Sequence, residues 1–89
     1  MIDITTYSDI IGCPLEVTYY HYQNKRMSAK LRGTSVLEGG MLIGVTGESN
    51  GLDPDAAIRS YIDQIRGKTI KIGYGAEGKT FDVPENLVP

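Results

Sequence analysis

Residues 73–80, GYGAEGKT, have the spacing of a phosphate-binding loop, in which a glycine-rich turn precedes a lysine and a hydroxyl residue. In such a loop the backbone N–H groups hold the phosphates at the start of a helix that follows directly. Thr80 is followed instead by residues 81–84, FDVP, which alternate like a short strand that a proline ends. We therefore predict a β-hairpin turn, in which Gly75 and Gly78 supply positive φ angles, and no nucleotide site.

His21 is the only histidine in the sequence and Cys13 is the only cysteine, and together they do not make a metal-ligand set. General-base catalysis would need His21 beside a nucleophile, but strand alternation places Ser28 on the opposite side. We expect His21 to be a half-buried residue at the margin of a sheet, with a catalytic role as the alternative. Cys13 precedes a proline and has no basic neighbour, which favours a packing residue over a reactive thiolate. We expect no catalytic residue, no metal site and no cofactor.

An acid-free stretch at residues 17–37 stands out, because the whole chain is acidic, with a net charge of −2 and a pI near 5.2. Residues 15–22 alternate like a strand, and residues 26–32 alternate again after a turn at residues 23–25, which predicts a β-hairpin. The alternation places five aromatic and basic side chains on its outward face: Tyr20, Tyr22, Arg26, Lys30 and Arg32. Tyr and Arg are favoured in protein interfaces, and they also stack on bases and neutralise phosphates. We expect this face to bind a protein, with nucleic acid as one alternative and a solvated strand face as the other.

The elements that position this face are organised around one helix at residues 53–66. Asp53 is a good N-cap, Pro54 fits the first turn, and Gly67 follows as a stop signal. An apolar stripe runs along the helix at helical spacing and is formed by Ala57, Ile58, Tyr61, Ile62 and Ile65. One face of this helix must therefore be buried against a sheet.

The region between the hairpin and the helix has two apolar runs, which Gly39 and Gly40 separate as a tight turn. The run at residues 41–43 is the better strand, and residues 36–37 are predicted as an edge strand or a loop. Residues 47–51, GESNG, are predicted to connect flexibly to the helix.

The chain forms a single domain, residues 1–89, because this length supports only one thin core. A short N-terminal helix, capped by Thr5 or Thr6 and stopped by Gly12, and a second hairpin at residues 68–83 complete the elements. The sequence predicts an α+β fold, a small antiparallel sheet of about four or five strands with the main helix on one face.

A secretory leader and a long apolar run are both missing from the sequence, so we expect a cytoplasmic protein with no membrane partner.

The order of three strands, a glycine-containing turn and DPDAA at the start of an amphipathic helix resembles the N-terminal domain of HicB-type antitoxins. The matching residues, within residues 15–67, are Gly51, Asp53, Ala56, Ala57 and Ile62. The family usually has glutamates where Asp55 and Ala56 stand, and many members carry an additional DNA-binding domain that has no counterpart in this sequence. This resemblance implies an antitoxin or nucleic-acid-binding module.

The short acidic chain, its tyrosine-rich hairpin and the segment GKTFDVPENL also resemble small phage and prophage accessory proteins, which include anti-CRISPR inhibitors of host defence. This resemblance implies a stoichiometric binder that occludes a site on a larger protein. Our hypothesis from the sequence is a non-enzymatic protein-binding domain of phage or prophage character, with self-association left open. The alternative is a nucleic-acid-binding or HicB-like antitoxin module that uses the same Tyr and Arg face.

Overall fold

The computed structural model describes residues 2–21, 25–73 and 78–89, with the side chains of Tyr20, His21 and Lys25 left undescribed. The fold is α+β with antiparallel strands, as predicted. The elements in chain order are α1 (Ile4–Ile11), β1 (Leu15–His21), β2 (Lys25–Leu31), β3 (Thr34–Glu38), β4 (Met41–Ile43), β5 (Gly47–Asn50), α2 (Pro54–Ile65), β6 (Thr69–Ile72) and β7 (Lys79–Asp82).

The strands form two sheets, where the sequence predicted one. The first has three strands in the order β1-β2-β5, and the second has four in the order β4-β3-β6-β7. One reason for the difference between one predicted sheet and two observed sheets is β5, whose residues were predicted as a flexible connection. It pairs antiparallel with β2, with Gly47 opposite Ala29 and Asn50 opposite Arg26. GESN has no apolar alternation, so its sequence carries little sign of a strand.

The ranking of the two apolar runs after the first hairpin was wrong. β3 lies inside the second sheet, where Val36 is opposite Ile43 of β4 on one side and Ile70 of β6 on the other. Val36 and Ile70 are both buried, so packing on two sides makes β3 the principal strand. β4 is a three-residue edge strand whose side chains are all exposed.

Helix α2 lies on one face of the three-stranded sheet. The Asp53 carboxylate accepts a hydrogen bond from the Ala56 N–H at 3.1 Å, and Gly67 follows the helix with a φ of 72°. Both ends are therefore as predicted. The stripe is buried at Ala57, Tyr61, Ile62 and Ile65, and Ile58 is partly buried.

The helix backbone packs directly on Gly47 of β5. A Cβ atom added to Gly47 would overlap the carbonyl oxygen of Ala57 and the backbone nitrogen of Tyr61, and would lie 2.6 Å from the Tyr61 Cβ. A side chain at this position would therefore push α2 away from the sheet.

The N-terminal helix α1 begins two or three residues earlier than predicted. Its N-cap is Asp3, whose carboxylate accepts from the Thr6 N–H at 2.8 Å, so the choice of Thr5 or Thr6 was wrong. The chain is held here by a bridge to its other end, because the Ile4 N–H donates to the Val88 carbonyl at 2.9 Å. The sequence pattern around Thr5 gives no sign of this long-range contact.

Both helices and both sheets contribute to one core. Its buried apolar members are Ile4, Tyr7, Ile11, Cys13, Ala29, Leu31, Val36, Ala57, Tyr61, Ile62, Ile65, Ile70, Val83 and Leu87. Within the described part of the chain, neither helix has the length and apolar character needed to cross a membrane.

Candidate interaction surface

The three-stranded sheet has an outer face, which points away from α2. Residues directly opposite one another in antiparallel strands share a face of the sheet. Three such rows cross the outer face: Glu16 and Lys30; Thr18, Ser28 and Glu48; and Arg26 and Asn50. The described members of these rows are exposed, except Glu16, which is half-buried, and Ser28. The intervening residues Ala29 and Leu31 are buried on the α2 side, so the predicted alternation of β2 holds.

Two ion pairs link side chains of this surface: one joins β2 to β5, and the other joins the residue after β2 to β1. Nη1 of Arg26 lies 3.9 Å from Oε2 of Glu48, and Nε of Arg32 lies 3.4 Å from Oε1 of Glu16. Both guanidinium groups are more than half exposed, so each pair contributes little to stability. Their effect is on the local charge, because each arginine has a carboxylate within reach. The outer face is consequently a surface of mixed charge rather than a basic patch.

The structure separates the five residues predicted for the interaction face. Arg26 and Lys30 lie on the outer face, and Arg32 lies just beyond β2, where its backbone N–H donates to the Pro14 carbonyl at 2.9 Å. Tyr20 is the register partner of Arg26, and only its backbone is described. Tyr22 is outside the described residues, so its place in the predicted face stays a prediction.

Glu48 was missed as a member of this surface. Its segment reads as a loop, and only the pairing of β5 with β2 brings it opposite Ser28 and within reach of Arg26. Glu16 is the acid that borders the acid-free stretch, and β-pairing places it opposite Lys30. The sequence therefore identified the cations and not the carboxylates that balance them.

Ser28 is the buried hydroxyl at the centre of the outer face, with 7% of its surface exposed. It lies on the middle strand of this sheet, directly between Thr18 of β1 and Glu48 of β5. His21 is paired with Lys25, three positions further along β1 from Thr18. The register therefore agrees with the prediction that Ser28 and His21 belong to opposite sides of the hairpin.

The segment GYGAEGKT joins two antiparallel strands. Ile72 of β6 is opposite Lys79 of β7, and Thr80 lies within β7, where a phosphate-binding loop would begin a helix. The predicted hairpin is confirmed in its strands, while Gly75 and the rest of residues 74–77 are outside the described part.

Gly78 was predicted to be glycine because the turn needs a positive φ there, and this reason was wrong. Gly73 has the positive φ, at 80°, and Gly78 does not. A Cβ added to Gly78 would lie 2.8 Å from the carbonyl oxygen of Ile72, so close approach of the backbone explains this glycine.

Cys13 is 5% exposed, and burial raises the pKa of its thiol. A raised pKa disfavours the thiolate that a nucleophile needs. The Ser8 hydroxyl donates a hydrogen bond to the Cys13 carbonyl, which fixes the backbone after α1.

Among the described residues, no three His, Cys, Asp or Glu side chains come together as a metal site would require.

Comparison of the chain with protein-family models, with curated proteins and with solved structures gives no match. The residues that carry the resemblance to HicB-type antitoxins have structural roles in this fold. Gly51 has a φ of 81°, Asp53 caps α2, and Ala57 and Ile62 are buried in the core. These residues therefore cap, position and bury helix α2.

Proposed function

We propose that this chain is a non-enzymatic protein-binding domain of the kind found among small phage and prophage accessory proteins. The contact surface consists of its outer face with Arg32, and we include the predicted residues Tyr20 and Tyr22 in it; the domain acts by occupying a site on a larger protein. The observation that carries the proposal is the exposed, mixed-charge character of this face. Thr18, Arg26, Lys30 and Glu48 are solvent-exposed on the side of the sheet that α2 leaves open.

The ion pairs favour a protein partner over nucleic acid. Binding to a phosphate backbone draws its affinity from cations that neutralise phosphates and release counterions. A phosphate near Arg26 or Arg32 would also approach Glu48 or Glu16, at a cost in like-charge repulsion. A protein surface carries both signs of charge and can complement such a pattern.

The arrangement also suits an interface energetically. Tyrosine and arginine are the residues in which binding energy concentrates at protein interfaces. We therefore expect the tyrosines to be the anchors and the ion pairs to form a polar rim around them.

A capture experiment with charge-reversal variants tests this proposal. The chain is immobilised, exposed to bacterial host lysate and analysed by mass spectrometry, and the Lys30→Glu variant is compared with wild type. Arg59→Glu on the exposed side of α2 is the matched control, because it makes the same change of charge away from the outer face.

We expect a stoichiometric protein complex with wild type and Arg59→Glu, and its loss with Lys30→Glu. Capture of nucleic acid instead of protein, or equal capture by all three chains, would contradict the proposal.

A further inference from the structure

Strand β4 is an apolar sheet edge whose three side chains are all exposed. Met41 is 69% exposed, Leu42 is 41% and Ile43 is 40%. β4 stands at one end of the strand order of its sheet, with β3 on one side. Proteins usually blunt such an edge with charge, proline or a bulge, because an open edge pairs readily with another strand. β4 has none of these features.

The hairpin geometry determines which backbone groups of β4 are free. Gly39 and Gly40 form a two-residue turn with φ angles of 59° and 78°, as in a type I′ hairpin. In this hairpin Glu38 and Met41, which flank the turn, exchange hydrogen bonds, and so do Val36 and Ile43. Leu42 falls between these pairs, so its N–H and C=O point away from β3 toward the open side.

The segment around β4 is uncharged. Residues 39–47 contain no acidic or basic side chain, and the nearest acid, Glu38, lies 3.5 Å from the Lys68 ammonium. A two-fold contact places the residue at its axis beside its own copy, so a charged residue at the centre of this edge would face a like charge. Because the edge is uncharged, two copies of the chain can meet there without charge repulsion.

We propose that β4 is a self-association edge, on which β4 of a second copy pairs antiparallel about a two-fold axis at Leu42. The Leu42 N–H and C=O of each chain then exchange hydrogen bonds with those of the other. Met41 lies opposite the second copy's Ile43 on one face of the joined sheet, and Leu42 lies beside its copy on the other. The pairing joins two four-stranded sheets into one of eight strands.

The expected dimer is weak. A strand of three residues buries much less than the ~800 Å² per partner of a typical stable interface. We therefore expect a concentration-dependent equilibrium between monomer and dimer. This inference is independent of the proposed function, because β4 belongs to the other sheet.

Opposite charges at position 42 test the proposal. Leu42→Lys and Leu42→Glu are each measured by sedimentation velocity, alone and as an equimolar mixture, beside a dilution series of wild type. Wild type is expected to rise from 9.7 kDa toward twice that mass as its concentration increases. Each variant alone is expected to stay monomeric, because like charges meet at the axis, and the mixture is expected to associate again.

The control uses Ile10, which is 61% exposed on α1. Ile10→Lys and Ile10→Glu make the same changes on another exposed apolar residue and should leave the wild-type equilibrium unchanged. If wild type remains monomeric up to millimolar concentration, the proposal is overturned. The partner strand at this edge would then have to come from a different protein. Association that survives in both Leu42 variants would overturn it as well.

Amide hydrogen exchange gives a second test that needs no variant. The Leu42 N–H is expected to exchange more slowly as the protein concentration rises, while the Ile43 N–H, which bonds to β3, changes little. An exchange rate of Leu42 that is independent of concentration, alongside a mass that increases, would place self-association elsewhere and reject β4 as its site.

Discussion

The two faces of the three-stranded sheet differ in how closely they are packed. On the inner face, Ala29 and Leu31 have no exposed surface, and α2 approaches Gly47 so closely that a methyl group does not fit. On the outer face, Arg26, Lys30 and Glu48 are exposed, and the contact between Arg26 and Glu48 is a weak ion pair. Close packing places the stability of this small domain on the inner face, and we propose the outer face for binding. Substitutions on the inner face should change folding, and substitutions on the outer face should change recognition.

The largest effect is expected from Ile62→Ala on α2. Ile62 is fully buried, so the variant loses transfer free energy and leaves a cavity, which together cost about 2–5 kcal/mol. Urea unfolding followed by circular dichroism measures the loss, and Ile10→Ala on the exposed side of α1 is the control. An unchanged midpoint for Ile62→Ala would show that α2 is not packed as described.

Gly47→Ala should follow, with a loss of about 3 kcal/mol, near the upper end for an overpacked site, because the new Cβ meets helix backbone rather than a movable side chain. Gly44→Ala is the matched control. Nothing lies within 4 Å of a Cβ at Gly44, and its φ is not positive. Equal stability of the two variants in thermal unfolding would refute the close contact between α2 and β5.

Tyr61→Phe should cost about 1 kcal/mol near neutral pH, through loss of the hydrogen bond between the Tyr61 and Thr34 hydroxyls. The pH dependence sharpens this prediction, since burial raises the pKa of Tyr61. The neutral phenol stabilises the fold fully below the ordinary pKa of about 10, and this stabilisation is lost as pH rises from there through the raised pKa. The free energy of unfolding should therefore decrease more steeply above pH 10 in wild type than in Tyr61→Phe, and parallel curves would contradict this assignment.

The smallest effect is expected from Lys79→Ala in β7, within about 0.5 kcal/mol, because the side chain is exposed. Calorimetry should show no magnesium-dependent ATP binding in either chain. Tight binding that disappears in the variant would restore the nucleotide interpretation of GYGAEGKT.

The inner face was largely predictable from the sequence. Asp53, Gly67 and the stripe of Ala57, Tyr61 and Ile62 locate α2, because capping and helical periodicity are local signals. The antiparallel hairpin of β1 and β2 was also a local signal, but its register was not, because the turn was predicted at residues 23–25 and Lys25 instead lies in β2 opposite His21.

What the sequence did not show depends on contacts between distant segments. β5 pairs with β2 and leaves room for the α2 backbone at Gly47, and Asp3 caps α1 in a segment that Val88 holds in place. The carboxylates that balance the outer face come from outside the acid-free stretch, at Glu16 and Glu48. A run of like charges along the chain is therefore a poor guide to the charge of the surface it joins.

The most direct test of the central claim, that the outer face together with Tyr20 and Tyr22 binds a protein, is titration calorimetry with the captured partner across a salt series. Wild type is compared with Tyr20→Ala and Arg32→Ala. We expect a loss of about 2 kcal/mol or more for Tyr20→Ala, a smaller loss for Arg32→Ala, and weak salt dependence throughout. A loss dominated by Arg32→Ala with a steep salt slope would indicate nucleic-acid recognition. No loss of affinity in either variant would show that this face is only solvated. Either result would contradict the claim that the face binds a protein.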